Sequence, residues 1–290
     1  LAENVGSCGY ETVTLDMIGD LWKEADVSGF DVVFHVAAIV HQKEKRKADD
    51  LYYKVNRDLA YETALKAKAE GVKKFIFLST MGVYGMESGV IGYDTQARPD
   101  SAYGRSKLEG ERLVAGLHDA DFEVAVLRPP MVYGKGCKGN YRKLAALAVK
   151  VPFFPWIDNK RSMIHIDNLA EFVRLLIDRP ATGQDAKTAG TAGKAGMPGT
   201  AGMFYPQNAE YVNTSEMVKA IAAEHGRRLR IIRIPAWLFR IVDFGVVRKA
   251  FGDLYYEMEM SGIEGCGAAD YRVTGFRESV RFTEAGEDRV

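Results

Sequence analysis

Residues 75–85 read FIFLSTMGVYG and residues 103–113 read YGRSKLEGERL, and these two stretches decide the fold. Residues 75–78 are a short apolar run, with Gly71 before it and glycine-bearing residues after it, which reads as a buried strand. Ser79 and Thr80 stand where that strand ends. Pro99, Asp100 and Ser101 then form a helix start, and the spacing predicts a helix over roughly 102–117. Tyr103 and Lys107 stand four residues apart, on one face of that helix. A hydroxyl at a strand end, facing a tyrosine and a lysine on a helix, is an arrangement for proton transfer. Tyr103 is the candidate acid/base: a nearby ammonium favours the phenolate and lowers a pKa that starts at about 10. The Thr80 hydroxyl is placed to hydrogen-bond the same reacting oxygen. Ser79 is read as a structural hydroxyl, although a one-residue register shift exchanges the two.

Working outward, residues 11–15 alternate as a strand would and end at Asp16 and Met17. Residues 31–36 are a nearly continuous apolar run, again a strand covered on both faces, and end at the small pair Ala37 and Ala38. A short helix is expected around 21–25 between them. His35 on the buried strand is read as a hydrogen-bonded core histidine. Residues 41–47 (HQKEKRK) are read as a solvated segment. Helical spacing over 51–70 stops at Gly71. A further strand over 122–127 ends at Arg128, Pro129 and Pro130. Strands alternating with helices predict an α/β fold with a parallel sheet, whose ligands sit beyond the strand carboxyl ends. Asp16, Ala37–Ala38, Ser79–Thr80 and Arg128–Pro130 all fall at such ends.

The chain has 290 residues, 47% hydrophobic and 27% charged, enough for a large core. Its 39 basic and 39 acidic residues cancel, which argues against a nucleic-acid partner. Cys8, Cys137 and Cys266 lie far apart; no metal site is expected, and a reducing, cytoplasmic compartment is. No run reaches membrane-spanning length, so no membrane association is expected. Residues 134–139 match G-x-G-x-x-G in letters, but they follow two prolines and precede no acidic-ended strand, so they are read as a loop near the substrate. Beyond residue 140, helices are expected over 141–151, 168–178, 214–226 and 236–251, with a strand over 230–234. Residues 181–203, nearly all small and polar, are expected to be a flexible surface insert. The tail after Gly262 is expected to be weakly structured. The expected organisation is a dinucleotide-binding domain over 1–150, with 161–178 returning to it, and a smaller mixed substrate lobe over 151–290.

These residues resemble the extended short-chain dehydrogenase/reductases, in the NAD-dependent epimerase/dehydratase family. The resemblance is carried by His35–Ala38, Val55–Asn56, the 75–85 stretch, Tyr103 with Lys107, Arg128-Pro-x-x-Val-Tyr-Gly134 and Arg161-x-x-Ile-His-Ile-Asp167. It implies a Rossmann-like, doubly wound parallel sheet. It also implies NAD rather than NADP as cofactor, a nucleotide sugar (a UDP-sugar) as substrate, and a homodimer built on the helices near 51–70 and 102–117. An apolar stripe of Leu108, Leu113 and Val114 is expected to serve that contact. Residue by residue, Tyr103 would be the acid/base, Lys107 would hold the nicotinamide ribose, and Thr80 would meet the sugar hydroxyl. Asp16, Met17, Ala37, Ala38, Asn56, Ser79 and Pro130 would line the cofactor. Asn140 and Arg161 would join Thr80 and Tyr103 on the substrate, Arg161 at its diphosphate.

Three departures qualify these implications. The chain begins at Leu1, and the family's opening strand and glycine-rich phosphate loop do not appear in it. Without that loop it is expected to hold NAD weakly. Met81 and Gly82 follow Thr80 where the family's dehydratases carry acidic groups, which argues against water elimination. Met131 replaces an asparagine common in epimerases. The implied reaction is hydride transfer from a sugar hydroxyl, C4 by resemblance. An epimerase, a keto-sugar reductase and an inactive member remain the alternatives, with the epimerase preferred.

Overall fold

The computed structural model describes residues 9–40, 48–137, 139–179, 201–233, 252–262 and 270–285. Its centre is a four-stranded parallel sheet, β1 (Val32–His35), β2 (Lys74–Leu78), β4 (Glu123–Leu127) and β8 (Gly202–Phe204), in that spatial order. Phe75 is paired with Val33 on one side and Val124 on the other, and Val126 with Met203. Strand residues alternate between two apolar layers. Phe75, Phe77, Val124 and Val126 face Ala60, Ala64 and Ala67 of helix α2 (Leu59–Ala69) and Val114 of helix α3 (Ala102–Ala115). Ile76, Ala125 and Leu127 face Leu169, Phe172, Val173 and Leu176 of helix α5 (Ile166–Asp178). With both faces covered, the strands read as unbroken apolar runs. This is the doubly wound α/β arrangement expected from the sequence.

Helix α1 (Ala48–Tyr53) runs into α2 through one π-helical turn, Lys54–Asp58. The remaining elements build a second body of core. β5 (Met131–Tyr133) pairs with β7 (Met163–His165), and β6 (Phe153–Pro155) with β9 (Arg230–Ile232). Around them lie α4 (Asn140–Ala148) and α6 (Thr214–Glu224), over a cluster that includes Tyr133, Phe154, Met163, Met217 and Ile221. β3 (Gly89–Ile91) pairs with β10 (Leu254–Tyr256) beside Tyr84, Tyr205 and Met260. Among the described residues no helix is long and apolar enough to cross a membrane.

Three expectations are corrected. Residues 11–15 form no strand: Val13 and Leu15 are exposed, and β1 ends the described sheet with no partner for them. Alternation alone makes no strand without a neighbour to bond. The expected insert 181–203 ends too late: Gly202 and Met203 belong to β8, and Met203 packs on the layer under β4. The tail is not uniformly weak: helix α7 (Phe276–Glu284) buries Ser279 and Val280. The Ser279 and Tyr133 hydroxyls lie 2.6 Å apart, and Tyr141 donates to Glu284 at 2.7 Å, so tertiary contacts make this short polar segment helical. The expected helix over 236–251, the solvated segment 41–47 and residues 181–200 lie outside the described residues.

Candidate active site

The site lies at the carboxyl end of the sheet, where β2 meets the first turns of α3. Thr80 leaves β2 with an extended backbone, and its Oγ1 accepts from the Gly82 N–H at 3.0 Å, capping a 3₁₀ turn over Met81–Tyr84. Accepting there leaves the Thr80 proton free to be donated elsewhere. Ser101 caps α3 by accepting from the Gly104 N–H at 3.1 Å, which puts Tyr103 in the first turn. A Cβ on Gly104 would sit 2.8 Å from the Gly82 carbonyl oxygen, so only glycine lets α3 approach the Thr80 turn this closely. The Thr80 hydroxyl and the Tyr103 ring both lie against Gly82, 3.4 and 3.8 Å from where a Cβ there would stand. Burial pushes the phenol pKa up, and the nearby Thr80 hydroxyl opposes that rise.

Lys107, one turn further on, is almost wholly buried; its Nζ donates to the Leu78 carbonyl at 2.8 Å and lies over the Phe77 ring. Burial brings its pKa down to about 7, with Glu111 opposing. The expectation that Lys107 lowers the Tyr103 pKa is therefore corrected: the phenol is raised by desolvation, and the ammonium is turned to the end of β2. His35 is buried as expected, stacked on Phe75 and Phe77, but its Nε2 has no hydrogen-bond partner among the described residues. Burial, and then the Lys107 charge, lower its pKa to about 3.

Asn56 is fully buried in the π turn. Its Oδ1 accepts from Ile39 N–H at 2.9 Å, and its Nδ2 donates to the Ile39 carbonyl at 3.0 Å and to Ser106 Oγ at 3.1 Å. Asn56 thus brackets the segment carrying Ala37 and Ala38 to the helix carrying Tyr103. Pro129 and Pro130 are buried beyond β4, and the Pro129 carbonyl accepts from Met81 N–H at 2.9 Å. Ser79 is buried, and its hydroxyl donates inward to Glu111.

Arg161 lies apart from this cluster, on the segment bridging to Val212 and Leu254. Its guanidinium donates to the Gly252 carbonyl at 2.8 Å. Asp253 is nearby but accepts from the Lys160 N–H, and among the described residues Arg161 has no ion pair. Asp16 is exposed and accepts from the Ile18 N–H; Met17 is half-buried. Asn140, the first residue of α4, is exposed. Asn56 and Ser106 link the 37–39 segment to the Tyr103 backbone, and Lys107 and Ser79 meet at the end of β2 just before Thr80. The structure shows no direct contact between that group and Asp16, Met17, Asn140 or Arg161 among the described residues.

Residues 10–189 match the family model described as "NAD dependent epimerase/dehydratase family", more than half of the chain. The chain belongs to the NAD dependent epimerase/dehydratase family. Among curated members, the UDP-glucose 4-epimerase of Vibrio cholerae is 31% identical over 249 residues, spanning 81% of this chain and 69% of that protein. The N-acetyl-alpha-D-glucosaminyl-diphospho-ditrans,octacis-undecaprenol 4-epimerase of Escherichia coli O157:H7 is 26% identical over 164 residues, 55% of this chain and 49% of that protein. The solved UDP-glucuronic acid 4-epimerase of Bacillus cereus in complex with NAD superposes with a TM-score of 0.64 at 18% identity. It covers 92% of this chain and 77% of its own. That likeness confirms the epimerase-family fold, and the family's NAD-dependent chemistry agrees with the cofactor expected from the sequence.

The donor set suits such a cofactor at its nicotinamide end. Thr80 follows β2, and Ala37 and Ala38 follow β1, its neighbour in the sheet, so these residues share one carboxyl edge with Tyr103 and Lys107 beside it. The residue missed by the sequence reading is Glu111. It follows Lys107 by four residues, as Lys107 follows Tyr103, so the helical period was its available signal.

Proposed function

We propose that this chain is an NAD-dependent nucleotide-sugar 4-epimerase. The observation that carries the reading is the Thr80–Tyr103 hydroxyl pair at the carboxyl end of β2, with Lys107 one turn along. NAD, when bound, supplies the acceptor and donor of hydride. Tyr103 Oη takes the proton of the sugar C4 hydroxyl and returns it later. The Thr80 proton, free because its oxygen already accepts from Gly82, stabilises the phenolate. Ala37 and Ala38, bracketed by Asn56, would line the cofactor, and Lys107 would hold its ribose. Arg161, with a guanidinium that no carboxylate neutralises among the described residues, would bind the diphosphate of a UDP-sugar. The family relatives named above are all 4-epimerases by name, which supports C4.

Incubation with UDP-glucose or UDP-N-acetylglucosamine and NAD should yield the C4 epimer by NMR, with no net NADH. Tyr103→Phe should lower turnover at least about 10²-fold while leaving the fold intact. Stoichiometric NADH consumption on a keto-sugar, without epimer, would make it a reductase. No turnover with either substrate would overturn both readings.

We further propose a homodimer on α1, α2 and α3. Leu108 and Val114 of the expected stripe are buried in the protomer's own core, but Leu51, Leu65 and Leu113 are 39%, 41% and 39% exposed on these helices. A monomer mass in solution at micromolar concentration would refute it.

A further inference from the structure

A buried cluster behind the hydroxyl pair has no role in the reaction as proposed. Glu111 is only 3% exposed and sits on α3, one turn beyond Lys107. Its carboxylate receives the Ser79 hydroxyl and two donors of Arg128: Nη2 reaches Oε2 at 2.6 Å, and Nε lies 3.1 and 3.2 Å from the two oxygens. Arg128 also donates to the Tyr84 hydroxyl at 3.0 Å, and its carbonyl accepts from Tyr256 at 2.8 Å. The ends of β2 and β4 are thus tied to α3 through one ionised carboxylate. The guanidinium and the carboxylate form a buried, bidentate salt bridge.

Glu111 and Lys107 meet the same strand end: Lys107 donates to the Leu78 carbonyl at 2.8 Å, and Glu111 receives the hydroxyl of the next residue, Ser79. Lys107 is surrounded by the Phe77 ring and Leu78 carbonyl of β2, by His35 at the end of β1, and by Tyr103 and Glu111 on its own helix. The π turn brings Asn56, which carries no charge, and α1 brings Tyr52 against Tyr103. His35 is neutral above about pH 3. Arg128, the other cation, is paired with Glu111. Among the residues just named Glu111 is therefore the one anion, one turn from Lys107 and at the same strand end.

We propose that Glu111 is a positioning residue that keeps the buried Lys107 side chain cationic at the end of β2. The assignment rests on the reading of Tyr103 and Lys107 given above only for its catalytic consequence; the charge coupling is testable without turnover. The sign follows from the cause. Burial disfavours the ammonium and Glu111 favours it, leaving Lys107 near 7. Without the carboxylate, Lys107 should lose its proton at lower pH.

The test is a pH titration of Lys107 by NMR on protein carrying ¹³Cε-lysine, the signal assigned with Lys107→Met. In Glu111→Gln, Lys107 should titrate about one pH unit or more below the parent, the size expected for losing an opposite charge at this range. An unmoved titration would overturn the proposal. Should Glu111→Gln not fold, Glu111→Gln with Arg128→Met removes the orphaned guanidinium as well. The shift should keep its direction, and its absence would equally overturn the proposal. Ser79→Ala removes a hydrogen bond but no charge, and should leave the titration within a few tenths of a pH unit. An equal shift there would assign the effect to packing and refute the charge coupling. If the reaction is as proposed, the alkaline limb of the turnover profile moves with the Lys107 titration. A limb that stays while the titration moves would count against the proposed role of Lys107 and leave the Glu111 coupling intact.

Discussion

Replacing His35 by leucine should remove a defined part of the protein's acid sensitivity. His35 is 3% exposed, lies between Phe75 and Phe77, and has an Nε2 with no partner among the described residues. Burial holds its pKa near 3 in the folded state, against an ordinary value of 6.5. Between those values the unfolded chain binds a proton that the folded chain refuses. Stability is therefore fully present above about pH 6.5 and is lost as pH falls towards 3. The gap of about 3.5 pH units, at about 1.4 kcal/mol each, amounts to ~5 kcal/mol in full and ~2 kcal/mol between pH 7 and 5. Other groups titrate in that range too, so the comparison with the parent isolates the histidine. Urea unfolding of parent and His35→Leu at pH 7 and pH 5 measures it. The variant should lose ~2 kcal/mol less than the parent on acidification. Equal losses, within about 0.5 kcal/mol, would mean that His35 takes up its proton in the folded state and that the burial argument is wrong.

Arg128→Met should destabilise by roughly 3–5 kcal/mol, because it strands the buried Glu111 carboxylate; adding Glu111→Gln should recover most of that loss in thermal unfolding. Gly110→Ala should cost about 1–3 kcal/mol, since a Cβ there would meet the Asn56 carbonyl oxygen at 2.6 Å; an unchanged melting temperature would contradict the close approach of α3 to the π turn. Lys74→Met should lower stability by about 2 kcal/mol or more: Lys74 Nζ donates to the Leu176, Ile177 and Arg179 carbonyls at the end of α5 and faces Glu123, and calorimetric unfolding reads the loss.

The central sheet was legible because each strand is covered on both faces and so spells an apolar run, as 75–78 does. Tyr103 and Lys107 were legible because a helix brings every fourth residue onto one face, and the start at Ser101 sets the phase. What stayed hidden was decided by contacts distant in sequence. Residues 11–15 alternate like a strand yet find no neighbour. α7 looks polar until Tyr133 and Tyr141 take its Ser279 and Glu284. The brevity of β8, three residues after a small-residue stretch, hid it inside the expected insert. The inverted electrostatics of Tyr103 and Lys107 depend on burial, which spacing does not report. The inward turn of Ser79 depends on Glu111, a residue whose importance appears only once Arg128 is seen to reach it.

The wide turn at Lys54–Asp58 acts as a phase setter for the helix pair it joins. In an α-helix each residue advances the face by about 100°. Asn56 must point at Ile39 while Ala60, Ala64 and Ala67 point at the sheet. The π turn reconciles the two directions by admitting one residue more than an α-turn would. Deleting a single residue there would rotate the whole alanine face of α2 away from Phe75 and Phe77, whereas a substitution at exposed Lys54 would leave the phase untouched. Single-residue deletions scanned through this region should therefore be far worse tolerated at 54–58 than substitutions at the same positions, and the sheet's distance from α2 is set by chain length as much as by side chains.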